Sequence, residues 1–194
     1  MAQAPSQRVR ILLLAGDRYG ANCFMGGRKL SIADKFASYG WDVITAGVTR
    51  SLAPCPFAAK KGADPILLDC VADDLGGVHT FDAVSILPGP SHEGLMTSNA
   101  VLAFVRDASR TGLVVSGWCR GVRVLAAADI VHGRRIVCHA DDRQMIEDAG
   151  GIFVGHDHPP VTDGRMVTGA RSYYYRAKNA DAIRSAVMAS RRDA

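Results

Sequence analysis

Short aliphatic runs alternate with longer amphipathic segments along most of this 194-residue chain. The first run, residues 9–15, is almost wholly apolar, as expected of a parallel strand that is covered on both faces. The segment at 29–39 then places its apolar side chains on one helical face, and Gly40 is a typical C-terminal stop. Strands separated by helices form right-handed crossovers, so the pattern predicts an α/β fold with a doubly wound, mostly parallel sheet and helices on both faces.

The same alternation continues to the C-terminus, interrupted by a turn-rich stretch at 48–63 with a small excursion at 53–57. We expect further strands at 42–46, 82–87, 113–116, 136–138, 152–154, 161 and 166–168, and helices at 99–109, 121–128, 141–149 and 179–190. There is no internal repeat, linker or low-complexity segment. We therefore expect one domain over residues 1–194, with residues 1–7 as a flexible tail.

Charge and cysteine usage exclude several classes of protein. The net charge is +4, from 23 basic and 19 acidic residues, and no basic stripe is visible, which argues against nucleic-acid binding. The five cysteines are an odd number without a C-x-x-C pair, which argues against a disulfide framework or a zinc ribbon. The sequence also lacks a signal peptide and a membrane-spanning segment, so we expect a cytoplasmic protein.

The segment at 114–121, Val-Val-Ser-Gly-Trp-Cys-Arg-Gly, has the layout of a nucleophile elbow. A buried strand runs into Gly-x-Cys-x-Gly and a helix of small residues follows, so Cys119 is expected at a strained turn at the carboxyl end of the sheet. The amides at the start of that helix and the charge of Arg120 would favour the thiolate. The alternative is that Cys119 is a small apolar core residue.

The sequence around this turn resembles the ThiJ/PfpI family (the DJ-one superfamily), which is related to the class I glutamine amidotransferases. The likeness includes Gly-Trp-Cys-Arg-Gly at 117–121 and the stretches at 10–15, 81–89, 124–136 and 161–169. The resemblance implies a flavodoxin-like sandwich, a homodimer, a nucleophilic cysteine and no metal or other cofactor. Family members include peptidases, glyoxalases, proposed deglycases and redox-responsive chaperones.

The resemblance also nominates partners for Cys119. His139 aligns with a histidine near the cysteine in the deglycase branch, where it would line the site or carry a proton. Arg120 stands where the peptidase branch has a histidine, so that dyad is absent. The backbone amides of Arg120 and Gly89 are the candidate oxyanion donors, and His92 is a further candidate for the pocket.

Two positions depart from the family pattern. Gly20 stands in the slot of a glutamate that hydrogen-bonds the sulfur in many members, and Asp17 could replace that glutamate or act as a turn cap. Pro90 stands where the family usually has a second glycine, and proline has no N–H to donate. Losing one oxyanion donor costs roughly 10²–10³ in rate.

Other residues are assigned to the surroundings of the site. Trp118 and Tyr173 are placed in the substrate pocket, together with Gly20 and Pro90. The tyrosine segment at 173–175, read as a loop, could instead form a dimer contact. His156 and His158 flank an aspartate, but no ligands at suitable spacing accompany them, so we predict no metal site.

The leading hypothesis is a Cys119-dependent hydrolase or lyase that acts on a small carbonyl or amide compound through a thio-adduct, with His139 or Asp17 moving protons. The alternative is a non-catalytic, redox-sensing or chaperone-like dimer in which Cys119 is an oxidation switch. A glutaminase subunit is disfavoured, because residues 166–175 contain no His-x-Glu.

Overall fold

The computed structural model describes residues 8–20 and 32–193. The helices and strands below are those of this part of the chain. The strands are β1 (Arg10–Leu14), β2 (Arg18–Tyr19), β3 (Asp42–Gly47), β4 (Ser51–Pro54), β5 (Ile66–Leu67), β6 (Cys70–Val71), β7 (Ala83–Ile86), β8 (Val114–Trp118), β9 (Arg135–Val137), β10 (Ile152–Gly155), β11 (Val161–Asp163) and β12 (Met166–Gly169). The helices are α1 (Ile32–Ala37), α2 (Pro56–Ala59), α3 (Glu93–Thr97), α4 (Asn99–Arg110), α5 (Val122–Ala127), α6 (Arg143–Asp148) and α7 (Ser172–Ser190).

The main sheet has the strand order β11-β12-β8-β7-β1-β3-β6 within the described residues. Its neighbouring strands are parallel except for β11, which pairs antiparallel with β12. β1 lies between β3 and β7, so Leu12 is paired with Ile44 on one side and Val84 on the other. The predicted α/β fold with a mostly parallel sheet is therefore confirmed.

Alternate residues of β1 pack on opposite faces of the sheet, as the pleat requires. Leu12 and Leu14 belong to a buried cluster that includes residues of α4 and α5, whereas Ile11 and Leu13 pack with residues of α1 and α7. Each of these four side chains has no solvent exposure. Burying a side chain of this size contributes about 1.5–3 kcal/mol, so the two clusters fix the helices on both faces.

Two smaller sheets flank the main one. β9 and β10 pair in parallel, and Val137 N–H donates to Thr168 Oγ1 at 3.0 Å, which joins β9 to β12. The excursion expected at 53–57 is found as the end of β4 and the start of α2, and β4 pairs with β2 and β5. Among the helices of the described ranges, none has the length and apolar character needed to cross a lipid bilayer.

The last helix differs from the prediction. It begins at Ser172, seven residues before the expected start, so the tyrosine segment read as a loop belongs to its first turn. Arg171, with φ 45°, turns the chain between β12 and the helix, and no glycine or proline then interrupts the helix before Ser190. Asn179, taken as the first helical residue, is buried inside α7. Of the helix predicted at 29–39, residues 29–31 lie outside the described residues.

Candidate active site at the Cys119 turn

Cys119 follows β8 directly at the carboxyl edge of the main sheet. Its φ of 53° lies in the left-handed region, which a residue with a side chain adopts at a cost. A short 3-10 turn, Cys119–Gly121, leads into α5, which begins one residue later than predicted. The strained strand-to-helix turn expected from the sequence is therefore present.

The glycines on either side of Cys119 are required by close packing. A Cβ on Gly117 would lie 2.9 Å from Leu125 Cδ1 and 3.0 Å from Val122 Cα. A Cβ on Gly121 would lie 2.7 Å from the carbonyl oxygen of Ile86. The distances of 2.7 and 2.9 Å are shorter than real Cβ contacts and the distance of 3.0 Å is tighter than most, so a side chain at either position would push the turn away from β7 or α5.

Two cysteines of the described ranges lie near this edge, and they differ in exposure. Cys119 is half-buried, whereas Cys138, just after β9, is fully buried. Burial, with smaller contributions from the charges of Asp142 and Cys119, raises the pKa of the Cys138 thiol to about 12. Cys138 therefore stays a neutral thiol in the core, and Cys119 is the partly accessible sulfur at this edge.

His139 lies at the end of β9 and is partly exposed. Its Nδ1 accepts a hydrogen bond from the backbone N–H of Asp141 at 3.2 Å, and its ring contacts the ring of His156, with 4.7 Å between centroids. Burial lowers the pKa of His139, and the positive charge of Arg120 lowers it further. Asp141 Oδ2 also lies 3.4 Å from Nδ1. While Nδ1 accepts from the nearer amide, a neutral ring carries its proton on Nε2, which is then the nitrogen that can donate.

Asp17 is held in a capping role. Its Oδ2 accepts from Ser91 Oγ at 2.5 Å, and its Oδ1 accepts from the backbone N–H of Gly94 at 3.0 Å, in the first turn of α3. These bonds tie the loop after β1 to the loop after β7. Of the two roles considered for Asp17, these contacts are those of the cap. Gly20, assigned to the pocket, is half-buried at the end of the described range 8–20.

His92 is fully buried and does not line an open surface. Its Nε2 lies 2.8 Å from the carbonyl oxygen of Leu87, which can only accept, so Nε2 carries the proton. The ring lies between Gly16 and Gly89, because a Cβ on either glycine would contact it. Burial lowers the pKa of His92. This side chain therefore packs inside the protein and binds the backbone just after the end of β7.

The remaining predicted pocket residues lie in different environments. Trp118 is 1% exposed, and its Nε1 donates to Ser85 Oγ at 2.8 Å, so its side chain is in the core. Gly89 is half-buried and Pro90 is exposed. Tyr173 has its backbone in the first turn of α7, and its side chain lies outside the described residues.

A network of charged residues beside Cys119 was not predicted from the sequence. Arg120 Nη2 lies 2.7 Å from Asp141 Oδ2, and Arg120 Nη1 lies 3.5 Å from Asp142 Oδ1. Asp142 is buried and is also bound by Arg123, with Nε at 2.8 Å and Nη2 at 2.5 Å. The sequence features that could have indicated this network are two arginines, three residues apart, after the cysteine and two aspartates shortly after His139.

The two histidines considered as metal ligands have other contacts. His156 packs on His139, and His158 Nδ1 lies 2.7 Å from the carbonyl oxygen of Pro159. Asp157, between them, forms an ion pair with Arg171. Within residues 8–20 and 32–193, no group of three His, Cys, Asp or Glu side chains could hold a metal ion.

Sequence comparisons connect the chain to known proteins. A sequence model of the DJ-1/PfpI family matches residues 29–179. The chain is 29% identical over 155 residues to protein/nucleic acid deglycase 2 of Escherichia coli (strain K12), covering 79% of this chain and 87% of that protein. It is 33% identical over 92 residues to protein DJ-1 homolog D of Arabidopsis thaliana, covering 46% of this chain and 24% of that protein.

Solved structures share the fold at low sequence identity. A ThiJ/PfpI domain protein from Brachyspira murdochii matches with a TM-score of 0.73 and 16% identity, covering 94% of this chain and 99% of that one. A two-domain protein from Anabaena variabilis, with DJ-1/ThiJ/PfpI-like and ferritin-like domains, matches with a TM-score of 0.76 and 19% identity. That match covers 92% of this chain and 48% of the two-domain protein. The family's sequence model spans most of the chain, and the fold of the main sheet, the Cys119 turn and the solved relatives agree with that match. This protein therefore belongs to the DJ-1/PfpI family.

Proposed function

We propose that this protein is an enzyme that uses the Cys119 thiolate to act on small carbonyl or amide compounds. The observation that carries the proposal is the position of Cys119, partly accessible at a strained turn that close packing of Gly117 and Gly121 maintains. A core cysteine has no need of such a turn, whereas a nucleophile must project from the sheet. Membership of a family that includes an E. coli deglycase supports the same chemistry.

The first chemical step would be addition to a carbonyl group. The thiol of Cys119 loses its proton to solvent, and the sulfur attacks the carbonyl carbon. A C–S bond forms while the electron pair of the C=O π bond moves to oxygen, which then takes a proton from water. The backbone N–H groups of Arg120 and Gly89 are the candidate donors to the oxyanion, and Pro90 offers none.

His139 fits this step as a hydrogen-bond donor more readily than as a base. Its Nδ1 accepts from the amide of Asp141, which leaves the proton on Nε2. Because burial and Arg120 lower its pKa, the ring is neutral near pH 7. We infer that Nε2–H would steady the substrate oxygen, while Asp17 remains a cap.

Substitution of the cysteine tests the proposal. Cys119→Ser should lower the rate of α-oxoaldehyde or amide consumption by about 10³-fold or more, since loss of a nucleophile removes the covalent route. Cys55→Ser, at a half-buried free cysteine before α2, is the matched control and should keep the wild-type rate. Equal rates for wild type and Cys119→Ser on the whole panel would contradict the proposal.

Two features of the site favour the alternative function, in which Cys119 is an oxidation switch. The Asp17 carboxylate is hydrogen-bonded as a cap, and Pro90 has no backbone N–H to donate to an oxyanion. The pocket therefore has few groups that could assist catalysis. Mass spectrometry after mild peroxide treatment separates the two functions. Selective sulfinic acid at Cys119, together with no turnover of any carbonyl compound, would support the switch.

A further inference from the structure

Arg120 lies next to the nucleophile and has two acidic partners of very different exposure. One is Asp141, whose side chain is 65% exposed, and the other is Asp142, whose side chain is 1% exposed. The contact with Asp141 is short, at 2.7 Å, whereas the contact with Asp142 is 3.5 Å. The Arg120 side chain as a whole is 25% exposed, so part of it is accessible from solvent.

The buried carboxylate is already neutralised by another residue. Arg123 holds Asp142 Oδ1 through two nitrogens, with Nε at 2.8 Å and Nη2 at 2.5 Å. Both nitrogens bind the same oxygen, so the contact is charge-assisted but is not the fork that spans both oxygens of a carboxylate. Asp142 and Arg123 therefore cancel each other, and the charge of Arg120 is balanced mainly by Asp141 at the surface.

Other charged groups near this point do not oppose an incoming anion. His139 has a lowered pKa and is neutral near pH 7. Its neighbour His156 lies against it, and beyond them Asp157 is paired with Arg171. Of these groups, Asp141 is the one that competes with an incoming anion for Arg120, and an ion pair with an exposed carboxylate is weak.

We propose that Arg120 is the substrate-recognition residue of the Cys119 site, and that it binds a small carbonyl compound bearing a carboxylate. The planar guanidinium can bind a carboxylate through two parallel hydrogen bonds, whereas Asp141 makes one contact with it, from Oδ2 to Nη2. The substrate carboxylate displaces Asp141, while the buried Asp142 stays beside Nη1 of the arginine. The choice of substrate class rests on the proposed function, but binding of the carboxylate does not.

Paired alkylating reagents test the inference without requiring turnover. Iodoacetate carries a carboxylate and iodoacetamide is neutral; with each, the thiolate displaces iodide, which leaves with the electron pair of the C–I bond as the S–C bond forms. The ratio of the two Cys119 alkylation rates divides out any change in the thiolate fraction. Arg120→Gln should lower the iodoacetate-to-iodoacetamide ratio by about 3- to 30-fold, the range expected for a unit charge several ångströms away.

Two further variants complete the experiment. Asp141→Asn should raise the ratio, because it removes the competing carboxylate. Arg110→Gln, at an exposed arginine at the end of α4 that pairs with Asp107, makes the same charge change elsewhere and should leave the ratio unchanged. An unchanged ratio in Arg120→Gln, or an equal fall in Arg110→Gln, would overturn the inference.

A turnover arm separates this inference from the proposed function. If the protein consumes α-oxoaldehydes, glyoxylate should be used faster than the uncharged glyoxal, and Arg120→Gln should remove that preference. If neither compound is consumed but the alkylation ratio falls in Arg120→Gln, the carboxylate site stands and the proposed enzyme activity fails. If glyoxylate and glyoxal are both consumed, but Arg120→Gln changes neither the preference between them nor the alkylation ratio, the proposed enzyme activity stands and the carboxylate site is refuted.

Discussion

Replacing Gly121 with alanine should destabilise the protein, because the added methyl group meets backbone atoms. The new Cβ would lie 2.7 Å from the carbonyl oxygen of Ile86 and 3.1 Å from that of Leu87, at the end of β7. Overpacking of this kind costs about 1–3 kcal/mol. Alanine recovers about 0.4–1 kcal/mol by restricting the unfolded chain, so we expect a net loss of about 1–2 kcal/mol.

The backbone at Gly121 makes the steric origin of this effect testable. Its φ of −60° and ψ of −22° suit alanine, so conformational strain does not contribute. Gly77, with φ −60° and ψ 150°, is also compatible with alanine, and a Cβ added there would have no neighbouring atom within 4 Å. Gly77→Ala is therefore the matched control, and it should be neutral or stabilising by up to about 1 kcal/mol.

Urea unfolding followed by circular dichroism measures both variants. Gly121→Ala should lower the midpoint without changing the slope, since the native and unfolded surfaces stay similar. It should also change the rate at which iodoacetamide modifies Cys119, because the strand end and the cysteine turn must separate. If Gly121→Ala and Gly77→Ala had equal free energies of unfolding, the close approach of the turn to β7 would be refuted.

Buried titratable groups give two other predictions. Because burial lowers the pKa of His92 in the folded protein, the unfolded chain gains a proton first as the pH falls below about 6.5, and stability is lost in that range. His92→Gln, whose amide can reach the position of Nε2 and donate to Leu87, should show a shallower loss of stability between about pH 6.5 and 4 in urea titrations; an unchanged pH dependence would contradict the role given to His92. At pH 8, where about one Cys138 thiol in 10⁴ is ionised given its pKa of about 12, iodoacetamide should modify Cys119 long before Cys138 in the native protein. Peptide mass spectrometry over time measures the order, and equal labelling of both cysteines without unfolding would contradict the assigned burial.

The cysteine turn could be predicted from the sequence because its requirements are local. A strand, two glycines and a helix within a few residues are enough to specify a sharp bend, and Cys119 has the positive φ that this bend implies. The strands were predictable for a related reason, since a run such as residues 10–14 must be covered on both faces. The start of α7 was not, because aromatic residues and asparagine give only a weak helical preference.

The surroundings of the cysteine depended on contacts between distant parts of the chain. Asp17 reaches Gly94 across 77 positions, Arg123 reaches Asp142 across 19, and only packing of the intervening elements brings each pair together. His92 looked like a loop residue facing the pocket, but the approach of Gly16 and Gly89 encloses it.

The amino-acid sequence alone therefore determined the alternation of the main strands and helices, the class of fold and the position of the Cys119 turn, since each depends on short-range patterns of polarity and backbone freedom. Tertiary structure decided which polar groups are buried, which acids are paired and how much of Arg120 is exposed. These outcomes depend on the free energy of desolvation, which is set by everything packed around a group and not by its neighbours in the chain.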